Sequence, residues 1–139
     1  MKKVILILFV LLVTRLGVYA QSAVALFKPT YNGDEHYGFA TGSDKYEAEQ
    51  KAFGALKSAV NQKVGSSGSG AVGQQFIYSS TTKKGWYAIG RGKDQYGHYW
   101  HYEAVLGYNT EDAAKQYVLS RLSARGLYSA EIFSTGLDQ

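Results

Sequence analysis

The chain has 139 residues with 15 Lys and Arg, 11 Asp and Glu, no Cys and one Met, which fits one domain. Without sulfur ligands, disulfide frameworks, Cys-ligated zinc or iron-sulfur sites, Cys nucleophiles and Cys lipidation are all excluded. A composition of 45% hydrophobic and 14% aromatic residues argues against disorder, and the charge of +4 would by itself suggest an anionic partner.

Residues 1 to 20 read as a signal peptide. Met1-Lys2-Lys3 is a cationic start, Val4 to Val13 is an apolar run of 10 residues, and Val18-Tyr19-Ala20 presents compact residues before a cut at Gln21. A spanning helix needs about 20 apolar residues, and Arg15 interrupts this run. No stable membrane insertion is therefore expected after cleavage, and the short leader points to a bacterial protein exported to the periplasm or the extracellular medium. Losing Lys2, Lys3 and Arg15 leaves 12 cations against 11 anions, so the basic excess belongs mostly to the leader and nucleic acid is not an expected partner.

Residues 21 to 139 are expected to form one α+β domain. Val24 to Phe27 and Tyr37 to Thr41 read as strands. Ser43-Asp44 caps a helix whose apolar face is Ala48, Ala52, Leu56, Ala59 and Val60, with Glu47 and Glu49 near its positive end. Lys63 to Gly73, rich in Gly and Ser, reads as a flexible loop. Strands follow at Gln74 to Ser80, Trp86 to Arg91 and Tyr99 to Tyr108, the last two joined by a hairpin tip at Gly92 to Gly97. In the last of these, Trp100, Tyr102, Ala104 and Leu106 alternate with Tyr99, His101 and Glu103. A second helix opens at Asn109-Thr110, carries Ala114, Tyr117, Val118 and Leu122 on one face, has Arg121 and Arg125 near its carboxyl end, and stops at Gly126. Tyr128 to Ser134 closes the chain as a strand.

The order strand, strand, helix, strand occurs twice, over residues 22 to 82 and 83 to 137. His36-Tyr37 echoes His101-Tyr102 and Gly42 echoes Gly107. A duplicated half-domain folded about a pseudo-twofold axis is the expected architecture: two halves forming one two-layer domain of mainly antiparallel sheet and two helices.

The segment from Gly42 to Leu56 resembles the last helix of a double-stranded-RNA-binding domain, but lacks the paired lysines that contact phosphates and the preceding helix and strands; it reads as shared strand-to-helix grammar. Tyr37-Gly38-Phe39-Ala40 leading to Ser43, Ala48 and Ala52, and Trp86-Tyr87-Ala88-Ile89 with Gly107-Tyr108-Asn109 leading to Ala113 and Ala114, resemble a family of small exported bacterial domains of unknown function. That family repeats a Tyr-Gly-aromatic strand and an Ala-x-x-x-Ala helix. The resemblance spans about residues 24 to 125. Members commonly place Cys after each helix; this chain has none, which implies a core held by packing alone. The resemblance brings no catalytic residues.

Three candidate sites emerge from the residues. Trp86, Tyr87, Tyr96, Tyr99, Trp100 and His101 crowd one hairpin and form a candidate surface for a protein or glycan of the cell envelope or extracellular medium. Arg91 and Lys93 flank Gly92 at a turn that could hold an anion. His101 and Glu103 share a strand face, and the repeat places His36 equivalently, so these three could perform metal-assisted or acid-base hydrolysis. No metal site or hydrolase motif is apparent at the local spacing and no cofactor is expected. The expected function is a binding or interaction protein, possible roles being inhibition or neutralisation of an envelope or extracellular protein. A small hydrolase and a structural envelope protein are the alternatives.

Overall fold

A computed structural model describes residues 21 to 64 and 73 to 138. Residues 1 to 20, read above as a signal peptide, and the Gly- and Ser-rich run from 65 to 72 lie outside the described residues. The first half comprises β1 (Gln21–Pro29), β2 (His36–Gly42), α1 (Lys45–Val64) and β3 (Gly73–Thr81). The second comprises β4 (Gly85–Lys93), β5 (Trp100–Tyr108), α2 (Glu111–Ala124) and β6 (Tyr128–Asp138). Helix therefore extends through Lys63 and Val64, and strand begins at Gly73, which trims the expected loop at both ends.

Each half forms an antiparallel three-stranded sheet with its first strand in the centre, in the orders β2-β1-β3 and β5-β4-β6. The correspondence extends to single residues. Leu26 pairs with Tyr37 and Arg91 with Tyr102, and the same offset holds from Ala23 to Phe27 in one strand pair and from Ala88 to Gly92 in the other. The partner strand bulges at the same place in each: Val24 and Ala25 face Ser79 and Ile77, while Ile89 and Gly90 face Ser134 and Ile132. Tyr78 and Phe133 are thus the extra residues of equivalent bulges.

Helix formation follows from local chemistry. Asp44 accepts the Glu47 N–H at 2.8 Å, and the Glu47 carboxylate accepts the Ser43 N–H at 2.7 Å, a reciprocal cap. Thr110 caps α2 by accepting the Ala113 N–H at 3.2 Å. At the far end of α2, Gly126 takes φ +69° while its N–H and that of Leu127 donate to Ser123 and Leu122. These two hydrogen bonds end the helix, with Arg125 as its C-cap.

The fully buried stripes match: Ala48, Ala52 and Leu56 in α1, and Ala114, Val118 and Leu122 in α2. The first stripe packs on Ala23, Ala25 and Phe27. The second packs on Ala88 and Val105. Because strand side chains alternate between faces, the opposite faces are also apolar. Val24 and Leu26 meet Ile89, Tyr102 and Ala104 in a third cluster between the sheets. Each half is a helix on a sheet, and joining the halves through their sheets produces a helix, sheet, sheet, helix stack. Among the described residues no helix is long and apolar enough to cross a membrane.

Candidate functional site

Seven of the eight hairpin residues named as candidates, all but His101, separate into several environments. Trp86 packs beside Tyr108 on the core under α2. Tyr87 stacks on Phe39 between the sheets, with ring centroids 4.4 Å apart. Pairing with β5 shifts register between Trp86 and Ala88, and the alternation of strand faces sends adjacent rings to opposite sides. Tyr96 is 72% exposed at the hairpin tip and stacks on His98 at 5.9 Å, while Tyr99 meets His98 edge-on. Trp100 lies at the margin of the inter-sheet core. Arg91 covers its ring at 4.2 Å and Lys93 lies 4.8 Å from it.

The same Arg91 sits 4.8 Å from the ring of Phe133, which is 45% exposed and meets Tyr37 edge-on at 5.5 Å. Phe133, absent from the sequence-based set, therefore joins Trp100, Arg91 and Lys93 in one aromatic and cationic surface reaching Tyr37 of the first half. Periodicity placed Phe133 in a strand but could not show which ring its bulge would bring forward.

Arg91 and Lys93 are not arranged as an anion turn. Arg91 donates to Glu131 at 2.6 Å and Lys93 to the Gly97 carbonyl at 3.1 Å. The turn's N–H groups at Tyr96 and His98 donate to the Asp94 carboxylate at 3.2 and 2.7 Å. A side chain of the hairpin itself thus occupies the place an external anion would take. Burial would raise the Asp94 carboxyl, but bonding to the His98, Tyr99 and Tyr96 N–H groups together with the nearby His98 outweighs it and holds the group below its usual range.

His36 and His101 occupy equivalent strand positions, but equivalence does not bring them together. His36 stacks on Phe27 at 6.0 Å, on the α1 side of its sheet. His101 shares a strand face with Glu103 and Val105, on the α2 side. Among the described residues no three His, Asp or Glu side chains are grouped to hold a metal ion.

A different cluster surrounds His101. The turn before β2 lies along the edge of β5: Glu35 donates its N–H to the Trp100 carbonyl at 2.9 Å, and Trp100 donates to the Asp34 carboxylate at 2.8 Å. These contacts cover an edge that would otherwise expose unpaired backbone groups. One Glu35 oxygen accepts the Tyr102 N–H at 2.9 Å; the other lies 3.2 Å from both His101 Nδ1 and Arg125 Nη2. Arg125 Nη1 donates to the Tyr102 carbonyl at 2.9 Å and to Glu103 at 3.1 Å. The second Glu103 oxygen accepts the Tyr78 hydroxyl and lies 4.0 Å from Arg121 Nε. Both carboxylate side chains are only 4% exposed. Burial, and then donation to Glu103, pushes the Tyr78 phenol up to about 12.

This cluster opens into a cavity of about 240 Å³ lined also by Leu26, Lys28 and Phe76. Sequence reasoning singled out His101 and Glu103 but missed Glu35, Tyr78 and the part played by the two arginines. The available signal was the four-residue spacing of Arg121 and Arg125, which puts both on one helix stripe. No family model matches this chain, and comparisons with curated proteins and with solved structures found no match.

Proposed function

We propose that the chain is an exported binding protein without catalysis, acting on a protein of the cell envelope or extracellular medium through the surface built on Trp100 and Phe133. The observation that carries this reading is the continuity of those two rings through Arg91, which lies 4.2 Å from one and 4.8 Å from the other. Aromatic rings and Arg are the side chains that contribute most at protein interfaces, because they offer large contact area at small entropic cost. Here they project from paired strands, so little backbone ordering remains for association. Glu131 on Arg91 and Lys93 beside Trp100 provide a polar rim.

The hydrolase alternative is less well supported. A general acid or base must reach its substrate, whereas Glu103 is engaged by Arg125 and Tyr78, and Glu35 by Arg125 and the Tyr102 N–H.

Capture of envelope proteins by the chain from Gln21 onward, compared with a Trp100→Ala/Phe133→Ala double variant that keeps its circular dichroism spectrum, tests the proposal. The wild type is expected to enrich a partner that the variant does not. Equal capture by both would overturn the assignment of this surface, and stoichiometric zinc with hydrolytic activity lost in His101→Ala would favour the enzyme.

A further inference from the structure

The repeat supplies two equivalent crevices, and comparing them isolates what one has gained. The first, of about 340 Å³, lies among β2, α1 and β6 and is lined by Gly38, Ala55 and Ala59 with Tyr37, Phe39 and Ile89. The second lies among β5, α2 and β3. Strand pairing makes Gly38 the counterpart of Glu103. Aligning the capping residues Asp44 and Thr110, and with them the buried stripes, makes Ala55 the counterpart of Arg121 and Ala59 that of Arg125. Each of these three second-crevice residues lines the cavity.

The first half builds the same sheet order and an equivalent buried helix stripe with Gly, Ala and Ala at these positions. The fold as such therefore does not require the three charges. Burying carboxylates is costly unless they are paired and hydrogen-bonded, so a role beyond folding is the natural account of their presence.

The lining indicates what would bind. Glu35 and Glu103 have their oxygens engaged by Arg125, Tyr78 and backbone, so they offer little to an incoming cation. Arg125 is likewise committed to both carboxylates and the Tyr102 carbonyl. Arg121 is less so: its side chain is 52% exposed, its Nε stands 4.0 Å from Glu103, beyond hydrogen-bonding distance, and its hydrogen bond is to the neutral Tyr78 hydroxyl. Lys28 is exposed and makes no ion pair within 4.0 Å among the described residues. Three cations face two carboxylates here, leaving one positive charge in excess. Leu26 and Phe76 add an apolar wall, whereas the equivalent positions in the other half are the ion pair Arg91 and Glu131. The volume falls below the roughly 300–1,000 Å³ of drug-sized sites, which limits the ligand to a small molecule.

We propose that this crevice binds a small organic acid, its carboxylate between Lys28 and Arg121 and its hydrocarbon part against Leu26 and Phe76. The site is separate from the docking surface on Trp100 and Phe133, and either assignment can fail without the other.

Titration of the chain with sodium hexanoate, followed by backbone amide NMR, tests the proposal, with acetate and hexylammonium as parallel arms. Hexanoate is expected to give saturable shifts at Lys28, Phe76 and Arg121. Acetate should bind at least tenfold more weakly for want of the apolar contact, and hexylammonium should not saturate over the same range. Lys28→Gln/Arg121→Gln is expected to weaken hexanoate at least tenfold while retaining the wild-type circular dichroism spectrum. If the double variant loses its fold, the two single variants replace it, each expected to weaken binding at least threefold. No saturation by hexanoate, equal binding of hexylammonium or acetate, or unchanged affinity in the folded variants would overturn the proposal.

Discussion

The two halves share a topology but seat their helices on different strands. α1 makes most of its sheet contacts with the edge strand β2, whereas α2 favours the central strand β4. A glycine marks each seat. A Cβ at Gly38 would stand 2.2 Å from the Ala52 carbonyl oxygen and 2.3 Å from the Leu56 nitrogen, so the α1 backbone rests directly on β2. In the second half that strand position is Glu103, and the close approach moves to Gly90, where a Cβ would meet Val118 Cγ1 at 2.5 Å. Gly90 is the counterpart of Ala25 in the central strand. Moving the glycine by one strand moves the helix with it and leaves room above β5 for a carboxylate and the guanidiniums that hold it. Sheet order is thus compatible with either an apolar or a charged crevice, and the position of one residue without a side chain decides between them.

The most severe way to break this comparison is to give the first seat a side chain. Gly38→Ala is expected to destabilise the protein by about 3 kcal/mol or more in urea unfolding, at the upper end of overpacking costs, because the atoms in the way are helix backbone. Gly90→Ala should cost less, about 1–2 kcal/mol, since the nearest obstacle is the end of the Val118 side chain. Equal small losses at both sites would remove the claim that glycine determines the seat.

Arg125 tests the charged half. Its removal leaves Glu35 and Glu103, both nearly buried, without their shared counter-ion, and Arg125→Ala is expected to cost about 3 kcal/mol. Adding Glu103→Gln removes one of the stranded charges while keeping an oxygen for the Tyr78 hydroxyl, so the double variant should recover about 1 kcal/mol of that loss. A double variant less stable than Arg125→Ala alone would show that the Glu103 charge is stabilised by something other than Arg125.

A smaller effect separates the helices themselves. Gly54 lies inside α1 with nothing within 4 Å of an added Cβ, and the position aligned with it in α2 is Ser120. Gly54→Ala is expected to stabilise the protein by about 0.5–1 kcal/mol in the same unfolding measurement, by reducing the backbone entropy lost on forming the helix. No gain would mean that the middle of α1 is limited by something other than propensity.

Much of this architecture was legible in the sequence because its determinants are local. The Asp44 and Thr110 caps, the Gly126 stop, the alternation in β5 and the stripe of Ala48, Ala52 and Leu56 all follow from spacings of two to four residues. The echo of His36-Tyr37 in His101-Tyr102 marked the repeat. The sites were less legible because their members meet across the fold. Glu35 reaches Arg125 across 90 positions, and nothing near Glu35 signals that the turn before one strand would cover the edge of another. Helical periodicity put Arg121 and Arg125 on one stripe but not over a cavity, since that depends on where Gly90 seats the helix. The rings of the hairpin were countable, but strand alternation and bulges decided which would share a surface.

The cap of α1 provides the last contrast between the halves. Glu47 accepts from Lys51 Nζ at 2.7 Å and from the Ser43 N–H and hydroxyl at 2.7 and 2.5 Å. The Lys51 contact first, and then the Ser43 donors, hold its carboxyl down at about 2, below the ordinary 4.5. A carboxyl with a depressed folded value contributes stability above its unfolded value, and that contribution disappears as pH falls from about 4.5 towards 2. At α2 the cap is the Thr110 hydroxyl, which does not titrate in this range. Amide exchange, corrected for intrinsic rates, should therefore show the first turn of α1 losing protection between pH 4.5 and 2 relative to the first turn of α2. Glu47→Gln should reduce that difference, leaving only the part carried by the Asp44 carboxylate, while the α2 profile stays unchanged. Parallel loss in both helices would trace acid sensitivity to a shared source, with the buried carboxylates around Arg125 the first to examine, and not to the cap.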